Sequence, residues 1–509
     1  MKKFICSLLA FSSAMALSAC GVASSDNAED NAQSSGQATE ASTDAASGAS
    51  EQEEYTDPSE LENKYDVVIV GAGGAGMAAA IQAKEEGANP VILEKLPVAG
   101  GNTTKSSGGM NASETKFQEE SDIEDSNDTF YDDTLEGGQE TNDKKLLRYF
   151  VDHSADAIDW LDNMGITLNN ISYSGGASVQ RIHRPEDGAA VGGYLVDGLL
   201  RNVNENEIPI FVNTDVTNIN EENGQVDGVE IDMDGDSQTI DAGAVAVTTG
   251  GYGANEEMIE ENRPDLEGYV STNSEGSTGD GIKMIEELGG QTVDMDQIQV
   301  HPTVIQKDGT LISETVRGEG AILVNQEGER FFNEMETRDK VSEAITDLPE
   351  EEAYLIFDDA LADRAKQVDF YKEQGVVESG DSIEELAQEI NISEDQLKET
   401  LDNWNEAVDK EDDQDFERET AMDYDLTDSP FYAIKIAPGI HHTMGGVKIN
   451  TDTEVLDEDD QAISGLYAAG ELTGGLHGNN RIGGNAVADI IIFGRQAGTQ
   501  ATKFAQENN

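Results

Sequence analysis

Tyr65-Asp66-Val67-Val68-Ile69-Val70-Gly71-Ala72-Gly73-Gly74-Ala75-Gly76 is the stretch on which the reading of the fold turns. A short β-branched run stops at glycine, and a helical pattern, Met77 to Glu86, follows at once. Gly71, Gly73 and Gly76 fit G-x-G-x-x-G. The first glycine permits the tight turn, the second lets a pyrophosphate approach the backbone, and the third lets helix pack on strand. The helix N-terminus offers free N–H groups and the positive end of its dipole to phosphate. A second strand, Pro90 to Leu93, ends in Glu94, about 20 residues on, where an acid that binds ribose hydroxyls belongs. Strand, turn, helix, strand and acid in this order predict a dinucleotide site; glycine turn alone would be compatible with an empty βαβ unit.

Outward from this unit the pattern repeats. Gly100-Gly101-Asn102-Thr103-Thr104-Lys105-Ser106-Ser107-Gly108-Gly109 suits a loop pressed against a flat ligand. One helix is expected over Asp143 to Met164, strands over Pro209 to Ile219, Val226 to Ile231 and Ala242 to Thr248, and a helix that Gly276-Ser277-Thr278-Gly279-Asp280-Gly281 opens and that runs to Leu288. Strands alternating with helices place the chain in the α/β class with a parallel sheet. From about Met295 to Ile440 the character changes to short strands and an acid-rich helical stretch, Ser382 to Asp409. The earlier style returns at Gly465 to Glu471 and in a helix from Asn485 to Thr502. The simplest organisation is a nucleotide domain (63–295 and 443–509) split by an inserted domain (296–442), with ligands at the interface.

The 509 residues exceed what one core usually organises. With 104 Asp+Glu against 31 Lys+Arg, the formal charge is −73. Nucleic acid and anionic membrane surfaces are therefore poor partners, and a hydrated surface suited to high salt is expected rather than an acidic recognition surface. The two cysteines, Cys6 and Cys20, lie in the first twenty residues, so the body can hold neither a disulfide nor a cysteine-ligated cluster. No metal site is expected. Met1-Lys2-Lys3 and the apolar run Phe4 to Ala19 read as an export signal (1–19), too short for a comfortable permanent span. Leu17-Ser18-Ala19-Cys20 resembles a bacterial lipobox, which implies cleavage before Cys20 and lipid on its sulfur. The mature chain would then carry 29 bases against 104 acids, a formal −75. An ordinary signal cut near Ala19 is the alternative; export follows from either. Residues 20–62, rich in Ser, Ala, Gly, Gln, Asp and Glu, read as a flexible acidic tether.

The reactive side chains sit in ordered motifs: His301-Pro302-Thr303, Ser313-Glu314-Thr315-Val316-Arg317-Gly318 and Asn333-Glu334-Met335-Glu336-Thr337-Arg338-Asp339-Lys340. His441-His442-Thr443-Met444-Gly445-Gly446, Ala469-Gly470-Glu471 to Gly478, and Asn480-Arg481-Ile482-Gly483-Gly484-Asn485-Ala486 follow. Together these resemble the soluble, flavocytochrome c-type fumarate reductase flavoproteins of the succinate dehydrogenase/fumarate reductase superfamily, over roughly Asn63 to Ala505. The resemblance implies a Rossmann-type FAD-binding domain split by an inserted α+β capping domain, and a reaction reducing fumarate to succinate. It implies that His441 and Arg481 hold one substrate carboxylate and His301 and Ser313 the other, Ser313 standing where threonine is usual. Glu314 belongs to the same site. Arg338 would protonate one alkene carbon, with Arg317 and Glu314 returning a proton to it. An arginine acid is unusual, since guanidinium is normally a permanent cation, and ion pairing in an acidic protein is the alternative for these arginines.

The resemblance also implies FAD rather than NAD, bound without a covalent link because no histidine lies between Glu94 and Gly109. Beside Gly71, Gly73 and Gly76, it assigns Glu94, Asn102, Thr103, Gly108, Gly109, Val216, Asp280, His442, Glu471, Ala486 and Val487 to FAD. No C-x-x-C-H motif is present, so a separate electron donor is expected: an exported protein, a membrane partner or free reduced flavin. Urocanate, acrylate- and cinnamate-type reductases share the scaffold and are the alternative substrates; a lipid-anchored binding protein is the non-catalytic alternative.

Overall fold

The strand Lys64–Val70 (β1) is central to an eight-stranded sheet. It pairs in parallel with Pro90–Leu93 (β2) on one side and with Asp236–Val247 on the other. Residues 67–70, 91–93 and 244–247, which face one another across these pairings, are apolar and buried, as a sheet covered on both faces requires. A computed structural model of the chain describes residues 55–233 and 235–508; the export signal and Cys20 lie outside them. Beyond β2 the sheet continues into Ile210–Phe211, and beyond Asp236–Val247 into Ala462–Ala468, so chain from both ends of the sequence builds one sheet. Residues 55–62, expected to belong to the tether, are part of the fold. Thr56 pairs with Ile210, and the Tyr55 hydroxyl accepts from Ala99 N, because Tyr55 and Leu61 have apolar surface to place against the core.

The helix after the glycine turn, Gly74–Glu85 (α1), is buried on nearly every side. The C-terminal helix Asn485–Asn508 covers it, with Gly494 seated against the backbone of Ala75; a Cβ there would lie 2.6 Å from the Ala75 carbonyl oxygen. That contact fastens the last segment of the chain to the first βαβ unit.

A second apolar cluster, drawn from residues between Ile305 and Ile436, surrounds an antiparallel sheet ordered Ile298–Val304, Phe431–Thr443, Ala353–Asp358, Ile322–Val324. The long Phe431–Thr443 strand runs from this core back to the first, where Ile440 and Ile298 are buried. Its register sets Gln299 opposite His442 and His301 opposite Gly439, with one register shift after Gln299 and another after His301.

Three segments differ from the sequence expectation. The helix expected over Asp143–Met164 is two helices, Lys144–Asp152 and Ser154–Asn163. The break falls at His153, whose ring Nδ1 also contacts the Tyr149 carbonyl (2.7 Å) and so competes with the helix ladder. The strand expected over Pro209–Ile219 is interrupted at Asn213, which takes a left-handed φ of 52°. The stretch Ser382–Asp409 is two helices, because Asn391 is left-handed (φ 57°) and Ser393 caps a new start, Glu394–Lys410.

Candidate active site

The glycine turn opens on a cleft of about 850 Å3, partly open to solvent, that runs along the ends of the parallel strands. Of the residues expected to hold a dinucleotide, Gly71, Gly73, Glu94, Asn102, Thr103, Val216, Asp280 and Glu471 line it. The three glycines do different things. Gly71 has φ 102° and faces the Thr248 carbonyl, which a Cβ would approach to 2.7 Å. A Cβ on Gly76 would collide with the Gly71 carbonyl. A Cβ on Gly73 would meet nothing closer than 3.9 Å, so the protein itself leaves that space to a ligand. Glu94 accepts from Ala72 N and Leu96 N, one oxygen each at 2.8 Å, which fixes the carboxylate while leaving lone pairs for hydroxyls. Asn102 donates to Glu471 (3.0 Å), and Glu471 also accepts from Thr443 N (3.1 Å). Burial pushes the Glu471 carboxyl up, against those two donors.

Gly76, Gly108, Gly109, His442, Ala486 and Val487 lie outside this cleft's lining. Gly109 has a packing reason to be glycine, since a Cβ would strike the His183 carbonyl. His183 itself is buried beside Thr115 (2.8 Å), with burial pulling its pKa to about 4. His442 is buried edge-on to His477, and neither of its ring nitrogens has a partner among the described residues. A flat, polar-edged group such as a flavin suits that pair of orphaned nitrogens and the cradle at Gly73.

Beyond Glu471 the residues expected to hold substrate converge. His301, on the Ile298–Val304 strand, is fully buried with its ring 5.2 Å from that of His441 on the neighbouring strand. The Thr303 backbone N–H contacts His301 Nδ1 (3.3 Å); a backbone N–H can only donate, so Nε2 carries the ring proton. That Nε2 is buried without a partner among the described residues, as is Arg481 Nε. Ser313 caps the short helix Glu314–Gly318, and its backbone N–H donates to Tyr371 Oη (2.8 Å). Its hydroxyl donates to the Ser107 carbonyl (3.3 Å) of the glycine-rich loop.

Arg338 donates to Glu314 through Nη2 (2.8 Å) and Nε (3.3 Å), and Arg317 Nη2 lies 3.4 Å from the other oxygen of Glu314. Burial works to raise the Glu314 carboxyl, but Arg338 and Arg317 outweigh it and hold it below the usual range. Burial first, and then the Arg338 charge, pulls Arg481 down to about 9. Burial and the surrounding guanidinium groups hold His301, His441 and His442 well below 6.5, hence neutral. Three buried guanidinium groups, Arg317, Arg338 and Arg481, thus gather around Glu314, with Glu334 acting on Arg317 and Glu471 and Asp489 on Arg481. Arg481 Nε and His301 Nε2, which have no hydrogen-bond partner among the described residues, are donors that suit a small anion.

The residue that ties the arginines together is one the sequence reading missed. Gln299 Oε1 accepts from both Arg338 Nη1 and Arg481 Nη2, each at 3.0 Å. Its Nε2 donates to Asn480 Oδ1 and to the Arg481 carbonyl, each at 2.7 Å, so the amide orientation is fixed. Its signal was its position two residues before His301 in a strand, hence on the same face.

An FAD binding domain family model matches residues 66–487. The chain is 53% identical over 444 residues to the NADH:fumarate oxidoreductase of Klebsiella pneumoniae (strain 342), covering 87% of this chain and 48% of that protein. It thus spans about half the length of that relative. To the fumarate reductase (cytochrome) of Shewanella frigidimarina it is 44% identical over 452 residues, covering 88% of this chain and 79% of that one. The open conformation of a flavocytochrome c3 fumarate reductase superposes with a TM-score of 0.73 at 42% identity, covering 88% of this chain and 79% of that one. This protein belongs to the FAD-binding domain family of the succinate dehydrogenase and fumarate reductase flavoproteins, and its cofactor is FAD.

Proposed function

We propose that this FAD-dependent oxidoreductase reduces fumarate to succinate. The observation that carries the reading is the buried Arg338–Glu314–Arg317 group beside a set of anion donors. A binding protein needs the donors but has no use for a carboxylate held between two arginines. His441 and Arg481 hold one carboxylate and His301 and Ser313 the other. A donor set at each end suits a dicarboxylate better than a substrate with a single carboxylate. Bound FAD, once reduced, supplies a hydride from its N5. Arg338 delivers the proton to the other alkene carbon, which develops strongly basic carbanion character, and Glu314 passes the replacement from Arg317. One hydride and one proton convert fumarate to succinate. Gln299 keeps Arg338 and Arg481 in register while both charges are desolvated.

The electron donor is a separate exported protein, a membrane partner or a free reduced flavin, and lipid on Cys20 holds the protein outside the cytoplasm at the membrane. Cys20→Ala should leave reductase activity unchanged and release the protein from the membrane fraction; retention there would remove the anchor. The substrate is tested by reducing the holoprotein with dithionite, removing excess, and following flavin reoxidation by fumarate, urocanate, acrylate and cinnamate. Rapid reoxidation by fumarate is expected. If fumarate leaves the flavin reduced while another acceptor oxidises it, the substrate is that acceptor.

A further inference from the structure

The segment Thr272–Ser274 lies between the FAD loop and the substrate histidine, and the mechanism above assigns it nothing. Thr272 Oγ1 is 2.8 Å from His441 Nδ1. Asn273 Nδ2 donates to the His441 carbonyl (2.8 Å), and Thr272 N donates to the Ile440 carbonyl (2.9 Å). From the other side, Lys105 Nζ donates to the carbonyls of Thr272 (3.2 Å) and Asn273 (3.0 Å). Asn102, in the same loop as Lys105, donates to Asn273 Oδ1 (2.6 Å) and accepts from Ser274 N (2.6 Å). Partial desolvation lowers the Lys105 pKa against the pull of Glu275.

Burial first, and then the charges of Arg338 and Arg481, oppose a charge on His441. A neutral imidazole grips a carboxylate only through its N–H, because its other nitrogen presents a lone pair. The tautomer therefore decides whether His441 attracts or repels the substrate. At His301 the question is settled by the Thr303 backbone N–H on Nδ1. At His441 the group placed at Nδ1, among the described residues, is the Thr272 hydroxyl. Resting on the reading that His441 holds a substrate carboxylate, we propose that Thr272 is a positioning residue that donates to His441 Nδ1 and so keeps the proton on Nε2 for substrate, with Lys105 anchoring Thr272. Lys105 and Asn102 make the FAD loop and this histidine one hydrogen-bonded unit.

The test uses the holoenzyme carrying Thr272→Val, Thr272→Ser, Lys105→Met and the Val/Met double substitution. Fumarate affinity is read from the perturbation of the oxidised flavin spectrum, and KM and kcat with reduced methyl viologen as donor. Thr272→Val should raise Kd and KM about tenfold, with kcat changed less than about threefold and FAD retained. Thr272→Ser keeps the hydroxyl and should stay within about twofold of the parent. Lys105→Met should raise KM about threefold, and the double variant should be no worse than Thr272→Val, since Lys105 acts through Thr272. An unchanged Kd in Thr272→Val, equal damage from serine, multiplicative effects in the double variant, or loss of FAD from Thr272→Val would each overturn the proposal. A parent flavin that fumarate does not reoxidise rejects the substrate reading instead; the series is then run with the acceptor that does, and the same pattern of KM is required.

Discussion

At the scale of single residues, the site depends on guanidinium geometry more than on charge. Arg338 uses Nη1 for Gln299 and both Nη2 and Nε for Glu314. A lysine keeps the charge but is a single point that cannot span both partners. Arg338→Lys should therefore retain FAD and bind fumarate within a few-fold, yet lose turnover by about a thousandfold, the scale of a lost general acid. Single-turnover reoxidation of the reduced flavin measures this, and near-normal rates would remove Arg338 from proton transfer. Gln299→Leu makes a different demand. It leaves Arg338 Nη1 and Arg481 Nη2 without their shared acceptor inside a buried site, which costs about 2–4 kcal/mol. Chemical denaturation should show that loss, together with a raised KM because Arg481 is no longer held. A variant as stable as the parent would mean that water replaces the amide.

At the scale of elements, the glycine turn allows fold and cofactor binding to be separated. Gly73→Ala introduces a Cβ with no protein atom nearer than 3.9 Å, whereas Gly76→Ala collides with the Gly71 carbonyl. The first variant should fold with the parent's melting temperature in its apo form but bind FAD at least about tenfold more weakly. The second should lose stability with or without FAD. Flavin fluorescence titration beside apo-protein melting distinguishes them; a Gly73→Ala protein with parental affinity would place the pyrophosphate elsewhere. That turn was legible in sequence because all its determinants lie within a few residues of each other, and Glu94 because a βαβ unit fixes the distance to it. His301, Glu314, Arg317, Arg338, His441 and Arg481 were legible only as a resemblance between ordered motifs; their convergence depends on two sheets that local pattern does not specify. Gln299 was missed because its importance comes from a register opposite His442, with a bulge beside it. Lys105 was missed because its partner Thr272 is 167 positions away. Helix ends failed where one side chain overrode periodicity, as His153 does at Tyr149.

At the scale of the whole molecule, two electrostatic regimes coexist. Inside, burial and neighbouring guanidinium groups hold His301, His441 and His442 well below 6.5, burial holds His477 lower than usual, and His183 sits at about 4. As pH falls through 6.5 the unfolded chain takes up protons at these positions while the folded one does not. Stability must then fall with falling pH, by up to about 1.4 kcal/mol per pH unit for each histidine. Glu314 and Glu334, whose carboxyls are held below 4.5, lose their contribution only below that value. Denaturation midpoints should thus begin to drop near pH 6.5, and a flat profile to pH 5 would mean that the histidines are charged in the fold. The chain as a whole carries a formal −73, and the buried cluster of Arg317, Arg338 and Arg481 is a local exception to it. A dicarboxylate approaching from beyond one Debye length, about 10 Å at 0.1 M salt, meets the global repulsion first and the pocket's attraction only on arrival. Added salt screens the first and barely reaches the second, since Arg317, Arg338 and Arg481 are buried. The value of kcat/KM for fumarate should therefore rise as NaCl goes from about 0.02 to 0.5 M, and the melting temperature should rise with it as the unpaired surface carboxylates stop repelling one another. A monotonic fall in kcat/KM over that range would show that the pocket's own field steers the substrate, and that the acidic surface is too far from the entrance to matter.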